Sequence, residues 1–104
     1  MRKITILIKE PGRSWHPAEV EDALPVYQKI VGGYIEGLFT SPDGLHFFGN
    51  EEGKLLGLPV NFTIPGDIIV GTVFACRTDG EEFASVLESD LELIRTQPER
   101  LPYV

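Results

Sequence analysis

The segment KITILIK, residues 3–9, is the strongest strand pattern in the chain and decides the fold. Ile4, Ile6 and Ile8 recur at every second position, which places them on one face of a strand, with Leu7 on the other. Isoleucine is β-branched and packs well on a pleated surface. We therefore expect a strand over residues 3–9 that directs apolar side chains into a core.

A second strand follows the first one closely. Residues 10–13 form a predicted turn, because Pro11 fixes its own φ and Gly12 leaves φ free. Apolar and polar side chains then alternate over residues 16–21, which predicts a strand that forms a hairpin with the first. Pro17 has no N–H to donate and therefore indicates the edge of a sheet.

The longest apolar run, IIVGTVFAC at residues 68–76, predicts a central strand that is buried on both faces. Further strands are expected at residues 34–40, 45–48 and 83–86, and a short element begins at residues 54–56. Turn sequences rich in Pro, Gly and Asn separate these segments at residues 41–44, 50–53, 64–67 and 78–80. Such short connections favour antiparallel pairing, since parallel strands need long crossovers.

Two short helices complete the predicted elements. The first lies within residues 22–33, where Pro25 suits a first helical turn and Gly32 a C-terminal cap. Its apolar stripe consists of Tyr27, Ile30 and Val31.

The second helix begins at a capping box, with Ser89 as the N-cap and Glu92 three residues later, and ends before Pro98. The sequence thus predicts an α+β fold, a mainly antiparallel sheet of about five to seven strands with two short helices on one face. Residues 1–104 are expected to form a single domain. Because the core of so short a chain is small, a homodimer is the expected assembly.

The composition argues against two classes of function. Nine Lys and Arg stand against 16 Asp and Glu, a net charge of −7 that is spread without a basic patch. Affinity for a nucleic-acid backbone comes from Lys and Arg, so no nucleic-acid partner is expected. No apolar run approaches the roughly 20 residues of a membrane helix, and no signal-peptide pattern is present. We expect a soluble cytoplasmic protein without membrane contact.

The titratable residues form no catalytic or metal-ligating pattern. His16 and His46 are the only histidines, whereas a zinc site needs three or four converging ligands. Cys76 and either histidine are one candidate for a nucleophilic pair. However, Cys76 ends an apolar strand, and this position is typical of a small buried side chain. We therefore predict no enzyme, no catalytic residues, no metal and no cofactor.

The segment GNEEGKLLGLPVN, residues 49–61, admits two interpretations. It is either a wide turn between strands, with Asn50 and Gly53 in turn conformations and Lys54 in solvent, or a binding loop. In the binding loop Asn50, Lys54 and Asn61 supply donors and acceptors, and Thr72 faces the same pocket. An anionic ligand also needs nearby cations, for which the candidates are Arg77 and Arg95 beside Lys54.

Three blocks of sequence carry a resemblance to a known family. They are VGGYIE at residues 31–36, NEEGKLLGLPVN at residues 50–61 and DIIVGTVF at residues 67–74. Together they resemble a domain of unknown function found in small proteins of phages, plasmids and integrative elements. The resemblance implies an accessory protein of mobile DNA, of a kind often active in counter-defence, and a location in the host cytoplasm. It implies no catalytic residues.

Two functions follow as expectations. The first is a non-enzymatic protein that binds and sequesters a small anionic ligand, such as a nucleotide-type defence signal, through Asn50, Lys54, Asn61, Thr72, Arg77 and Arg95. The alternative is an acidic inhibitor or adaptor that binds a host protein. An enzyme is the third and weakest hypothesis.

Overall fold

The computed structural model describes residues 1–102, in which it places eight strands, two α-helices and one 3₁₀ turn. The first half of the chain forms β1 (Lys3–Lys9), β2 (His16–Glu21), α1 (Leu24–Val31), β3 (Ile35–Thr40) and β4 (His46–Asn50). The second half forms β5 (Val60–Ile64), β6 (Asp67–Val70), β7 (Val73–Asp79), β8 (Glu82–Ala84), α2 (Glu88–Thr96) and the 3₁₀ turn (Pro98–Arg100).

Six strands make the main sheet, in the order β2-β1-β7-β4-β3, with β8 paired to the far end of β7. Every pairing in this sheet is antiparallel. Strand β2 lies at an edge as Pro17 indicates, and β1 spans the seven residues that the isoleucine pattern predicts. The α+β class and the mainly antiparallel sheet are confirmed. Strands β5 and β6 form a separate two-stranded hairpin.

The sheet is buried on both faces by different elements. On one face Ile4, Ile6 and Phe74 pack with Tyr27 and Val31 of α1. On the other face the central residues are Leu7, Phe47, Val73 and Ala75, against which the hairpin packs Phe62 and Ile69 and α2 packs Leu91 and Ile94.

The prediction that both helices lie on one face is therefore wrong. Residues of β1 and β7 alternate between two sets of large apolar side chains, so each face needs its own cover. Helix α1 covers one face, while α2 and the β5–β6 hairpin cover the other. An amphipathic stripe shows that a helix packs on something, but not on which side of a sheet.

The predicted strand over residues 68–76 is divided in two. Residues 67–70 form β6 of the hairpin and residues 73–79 form β7, the central strand whose first four residues are buried. Gly71 separates them with a φ of +73°, and a Cβ there would lie 2.8 Å from Leu58 Cδ1. Glycine permits this turn because it adopts a positive φ without strain. A residue with a side chain would fit neither the backbone conformation nor the space.

Of the two predicted helix caps, one is confirmed and one is wrong. Gly32 caps α1 as predicted, with a φ of +80° and an N–H that donates to the Gln28 carbonyl at 2.8 Å. The cap predicted at Ser89 is wrong: α2 begins at Glu88, and the Asp90 carboxylate accepts the N–H of Leu87 at 2.7 Å. The element expected at residues 54–56 is part of a turn, and β5 follows it.

Neither α1 nor α2 is long enough to span a bilayer, and the described part of the chain contains no other α-helix.

Candidate functional site

The loop over residues 51–58 is held in one conformation by its own hydrogen bonds. Asn50 is buried, and its amide Nδ2 donates to the Val31 carbonyl at 3.2 Å while Oδ1 accepts the Glu52 N–H at 2.8 Å. Gly53 and Leu58 close the loop: the Gly53 N–H donates to the Asn50 carbonyl at 3.1 Å and the Leu58 N–H to the Gly53 carbonyl at 3.0 Å. The loop is a preformed surface.

Asn61 fastens the β5–β6 hairpin to the main sheet. Its Nδ2 donates to the carbonyls of Lys9 and Gly71, both at 2.8 Å, and its Oδ1 accepts the Lys9 ammonium at 2.7 Å. These bonds join the end of β1 to the open end of the hairpin, where β5 begins and β6 has just ended. The side chain therefore sets the position of the hairpin on the sheet.

Large apolar side chains are exposed around this loop and hairpin. The exposed fractions are 82% for Leu55, 59% for Leu56, 57% for Val60 and 50% for Ile68. The hairpin alternation explains the last of these, because Phe62 and Ile69 point into the core and Ile68 lies on the opposite side. Val60 lies opposite Val70 and therefore shares the outer face of the hairpin with Ile68, and Leu55 lines the same cleft as Ile68.

Two clefts flank this group. The first, of about 680 Å³, is lined mainly by Leu58, Ile64, Ile68 and Val70. The second, of about 460 Å³, lies between β3 and β6 and has Leu38, Leu55 and Ile69 in its lining. Lys54, Asp67, Ile68 and Val70 line both clefts.

Carboxylates surround the second cleft. Glu36, Glu51, Glu52 and Asp67 line it, against the single cation Lys54. The Lys54 ammonium binds the Asp67 carboxylate and thereby lowers the pKa of Asp67, which also accepts the Ile68 N–H at 2.8 Å. We call the exposed residues Leu55, Leu56, Val60 and Ile68, together with these four carboxylates, the apolar–acidic face.

The structure brings two of the six predicted ligand residues, Asn50 and Lys54, to one cleft. Asn61 lies at the junction with β1. Thr72 follows Gly71 and lines a separate cleft with Lys29 and Pro59. Arg77 lies near α2, and Arg95 lies on it. The six residues do not converge on one ligand-sized site.

Arg77 is engaged within the fold. Its guanidinium binds both carboxylate oxygens of Asp90, at 3.0 and 2.6 Å, and also the carbonyl of Asp43 at 2.6 Å and its carboxylate at 3.1 Å. Pairing with Asp90 raises the pKa of Arg77. Arg95 is exposed and pairs with Glu92 on the same helix. Binding of a ligand by either arginine would have to compete with a carboxylate.

Cys76 is buried in the core, whereas His46 is half-buried and His16 is exposed. His46 lies directly across from Cys76 in the β4–β7 pair, but its ring nitrogens lie 3.1 Å from Thr40 Oγ1 and 3.4 Å from Thr78 Oγ1. Burial raises the pKa of the Cys76 thiol to about 12, which disfavours the thiolate. His16 is on the edge strand, 3.6 Å from a Glu10 carboxylate oxygen. Within residues 1–102, no three His, Cys, Asp or Glu side chains are grouped as metal ligands would be.

The apolar side chains of the site are what the sequence reasoning missed. Leu55 and Leu56 lie between Gly53 and Gly57 in a turn-rich segment, and were interpreted as the start of a secondary-structure element. A leucine pair inside a turn is the signal that indicates an exposed apolar group. Ile68 carries no such signal, because the apolar run around it resembles a buried strand.

Comparison with known proteins adds a family but no function. Residues 3–99 match the family described as Domain of unknown function (DUF3846). No curated protein and no solved structure matches the chain.

Proposed function

The chain belongs to the DUF3846 family, and we propose that it is a non-enzymatic binding protein that docks a basic, partly apolar segment of another protein on the apolar–acidic face. This is the adaptor or inhibitor function that the acidic composition suggests. In the mobile-element setting that the sequence resemblance implies, the docked segment belongs to a host factor.

One observation carries the proposal: the exposed side chains of Leu55 and Ile68 line the same cleft, with Leu56 next to Leu55 in the loop and Val60 on the same face of the hairpin as Ile68. Scattered exposed leucines are ordinary, whereas a contiguous apolar group rimmed by polar residues is typical of an interaction site. The hydrogen bonds of Asn50 and Asn61 hold the face in shape before a partner arrives. A preformed surface loses little conformational entropy on binding.

The charge of the face favours a basic partner. Glu36, Glu51 and Glu52 have no ion pair with any residue in the described range 1–102. The chain as a whole carries −7, so long-range attraction acts in the same direction. Complementary charge raises the association rate and suppresses acidic partners, while the leucines supply buried apolar area.

The small anionic ligand expected at residues 50–61 has less support from this geometry. The second cleft presents four carboxylates and one lysine, and that lysine is already paired with Asp67. A nucleotide phosphate there would meet net negative charge at short range. Sequestration of a nucleotide-type signal therefore stays a prediction, and this cleft is an unfavourable place for it.

The test is selection of peptides from a random displayed library on the immobilised chain. We expect enriched peptides to combine Lys or Arg with large apolar residues. The best peptide, followed by fluorescence anisotropy, should bind the Leu55→Asp/Ile68→Asp variant roughly tenfold or more weakly, because central apolar contacts dominate such interfaces. Its affinity for the wild-type chain should fall as salt is raised.

Leu24→Asp is the matched control, since Leu24 is about as exposed as Ile68 but lies on α1. An acidic residue at the start of a helix is well tolerated. Enrichment of acidic peptides, or equal binding by the double variant and the wild type, would contradict the proposal. Sedimentation velocity adds a further arm: a dimer that the double variant loses would assign the face to a second copy of this chain instead.

A further inference from the structure

A third cleft lies on another side of the hairpin, where the β1–β2 loop, β5 and the 3₁₀ turn meet. It has a volume of about 300 Å³ and is lined by Lys9, Arg13, Ser14, Trp15, Phe62, Pro98, Glu99 and Leu101. We call it the Lys9 cleft. It shares no lining residue with the two clefts of the apolar–acidic face.

The cleft holds two cations that no carboxylate neutralises within ion-pair distance in the described part of the chain. The Lys9 ammonium binds only the Asn61 side chain, at 2.7 Å, and the Asn61 carbonyl, at 3.4 Å. The Arg13 guanidinium is exposed and makes no hydrogen bond with residues 1–102. Arg2, Lys54, Arg77 and Arg95 each pair with a carboxylate. Lys3, Lys29 and Arg100 have no such pair within residues 1–102 either, but none of them lines this cleft.

Lys9 is half-buried, and burial lowers its pKa. A partly buried charge is stabilised by a counter-ion. Among residues 1–102 no carboxylate lies within ion-pair distance of Lys9, and the attraction of the neighbouring Glu10 only partly offsets the effect of burial on its pKa. The ammonium lies 6.0 Å from the centroid of the Phe62 ring, at the outer limit of a cation–π contact. An anion beside Lys9 and Arg13 would supply the missing charge.

The walls of the cleft are aromatic. Trp15 and Phe62 line it with ring centroids 6.0 Å apart and planes inclined by 49°. Flat apolar groups pack well against such rings. The volume is at the low end of the roughly 300–1,000 Å³ of small-molecule pockets, which suits one ring system and one anionic group.

We propose that the Lys9 cleft binds a small anion that carries one flat ring, with its carboxylate or phosphate between Lys9 and Arg13 and its ring against Phe62 and Trp15. Ser14 adds a hydroxyl donor at the rim. Glu99 lines the same cleft, and Glu10 lies beside Arg13 in an adjoining one. These carboxylates favour an anion of low charge, a carboxylate or a phosphate monoester, over a polyphosphate. The inference does not depend on the docking function proposed above.

Trp15 provides the test, since it is the only tryptophan in the chain and lines the cleft. The probes are benzoate and phenyl phosphate as ring-bearing anions, acetate and inorganic phosphate as anions without a ring, and benzyl alcohol as a neutral ring. We expect saturable changes in Trp15 fluorescence with the two ring-bearing anions at concentrations where the other three give none. The stronger of benzoate and phenyl phosphate identifies the anionic group.

Arg13→Gln should weaken that binding roughly fivefold, the effect expected for loss of one exposed charge contact. Lys3→Gln is the matched control, because Lys3 is an exposed lysine of β1 that lines neither the Lys9 cleft nor the two clefts of the apolar–acidic face. Both variants should melt at the wild-type temperature. The proposal is overturned if no ring-bearing anion perturbs Trp15, if benzyl alcohol or inorganic phosphate binds as well, or if Arg13→Gln binds like the wild type.

Discussion

Charged pairs and large apolar side chains are buried in the main sheet. In the β5–β6 hairpin and the loop before it, side chains of the same kinds are exposed. In the sheet, Phe47 and Phe74 are fully buried, and the Arg77–Asp90 pair is 12% and 6% exposed. In the hairpin region Leu55 projects into solvent, and the side chains of the Lys54–Asp67 pair are 64% and 45% exposed. The same chemical groups are used for internal packing in one region and displayed in the other.

This difference separates residues that maintain the fold from residues free to contact a partner. Burial of apolar area and satisfied hydrogen bonds account for the stability of the sheet. Exposed leucines contribute little to folding. The exposure of Leu55 beside the second cleft therefore supports the proposed docking function. The comparison predicts that mutations in the two regions separate stability from binding.

The largest contrast is expected between Phe74→Ala and Leu55→Ala. Phe74 is fully buried beside Tyr27 and Phe48, so its truncation leaves a cavity and should lower the free energy of unfolding by about 3–5 kcal/mol. Leu55→Ala should change it by less than about 0.5 kcal/mol, as for ordinary surface positions. Urea denaturation followed by circular dichroism measures both values.

Phe74→Leu keeps most of the volume and provides a folded variant if Phe74→Ala does not fold. A Leu55→Ala variant that loses more than Phe74→Leu would show that the leucine is covered in solution. The division between the two regions would then be wrong.

Local sequence patterns predicted the sheet well because its signals lie within a few residues of one another. The alternation of Ile4, Ile6 and Ile8 identifies β1, and Gly32 marks the end of α1. The break at Gly71 is hidden by the apolar residues on both sides of it, and the contact that excludes a side chain there comes from Leu58, thirteen residues earlier. The side of the sheet that α2 covers depends likewise on contacts between distant segments.

The candidate site was predicted less well for a related reason. Polar residue types indicate what Asn61 and Arg77 are able to bind, but not that Lys9 and Asp90 already bind them. Asn50 and Lys54 both line the second cleft, and Asn50 also maintains the shape of the loop. The leucines beside them are missed because the pattern at residues 54–56 is interpreted as the start of a secondary-structure element and not as a turn.

An intermediate effect is expected at the junction of the two regions, for Asn61→Ala. This change leaves the carbonyls of Lys9 and Gly71 and the Lys9 ammonium without their side-chain partner. Unsatisfied polar groups of this kind cost about 1–3 kcal/mol in total stability. Hydrogen exchange should speed up in β5 and β6 more than in β1 and β7, because the hairpin loses its attachment to the sheet.

Val60→Ala is the control for the exchange experiment, since Val60 is an exposed residue of the same strand. Uniform acceleration across all strands in Asn61→Ala would mean that the hairpin and the sheet unfold as one unit. The attachment role of Asn61 would then be excluded.

The smallest effects are expected at two exposed aspartates, Asp43 in the turn between β3 and β4 and Asp67 of the hairpin. The pKa of Asp43 is lowered by the Ser41 hydroxyl and by Arg77, and that of Asp67 by Lys54 and the Ile68 N–H. A carboxyl whose folded pKa lies below its unfolded value stabilises the protein above the unfolded pKa, and this contribution is lost as the pH falls through the folded pKa.

Asp43→Asn should therefore lower stability at pH 7 by less than about 1 kcal/mol, and its difference from the wild type should shrink below about pH 4. Asp67→Asn should produce no resolvable change at either pH, because Asp67 and its charged partner Lys54 are both in solvent and their attraction is screened. Thermal melts of the two variants from pH 7 to pH 3 measure these values. Since Arg77 is largely buried and Lys54 is not, a larger loss in Asp67→Asn than in Asp43→Asn would show that the hairpin's charges, and not only those of the sheet, maintain the fold.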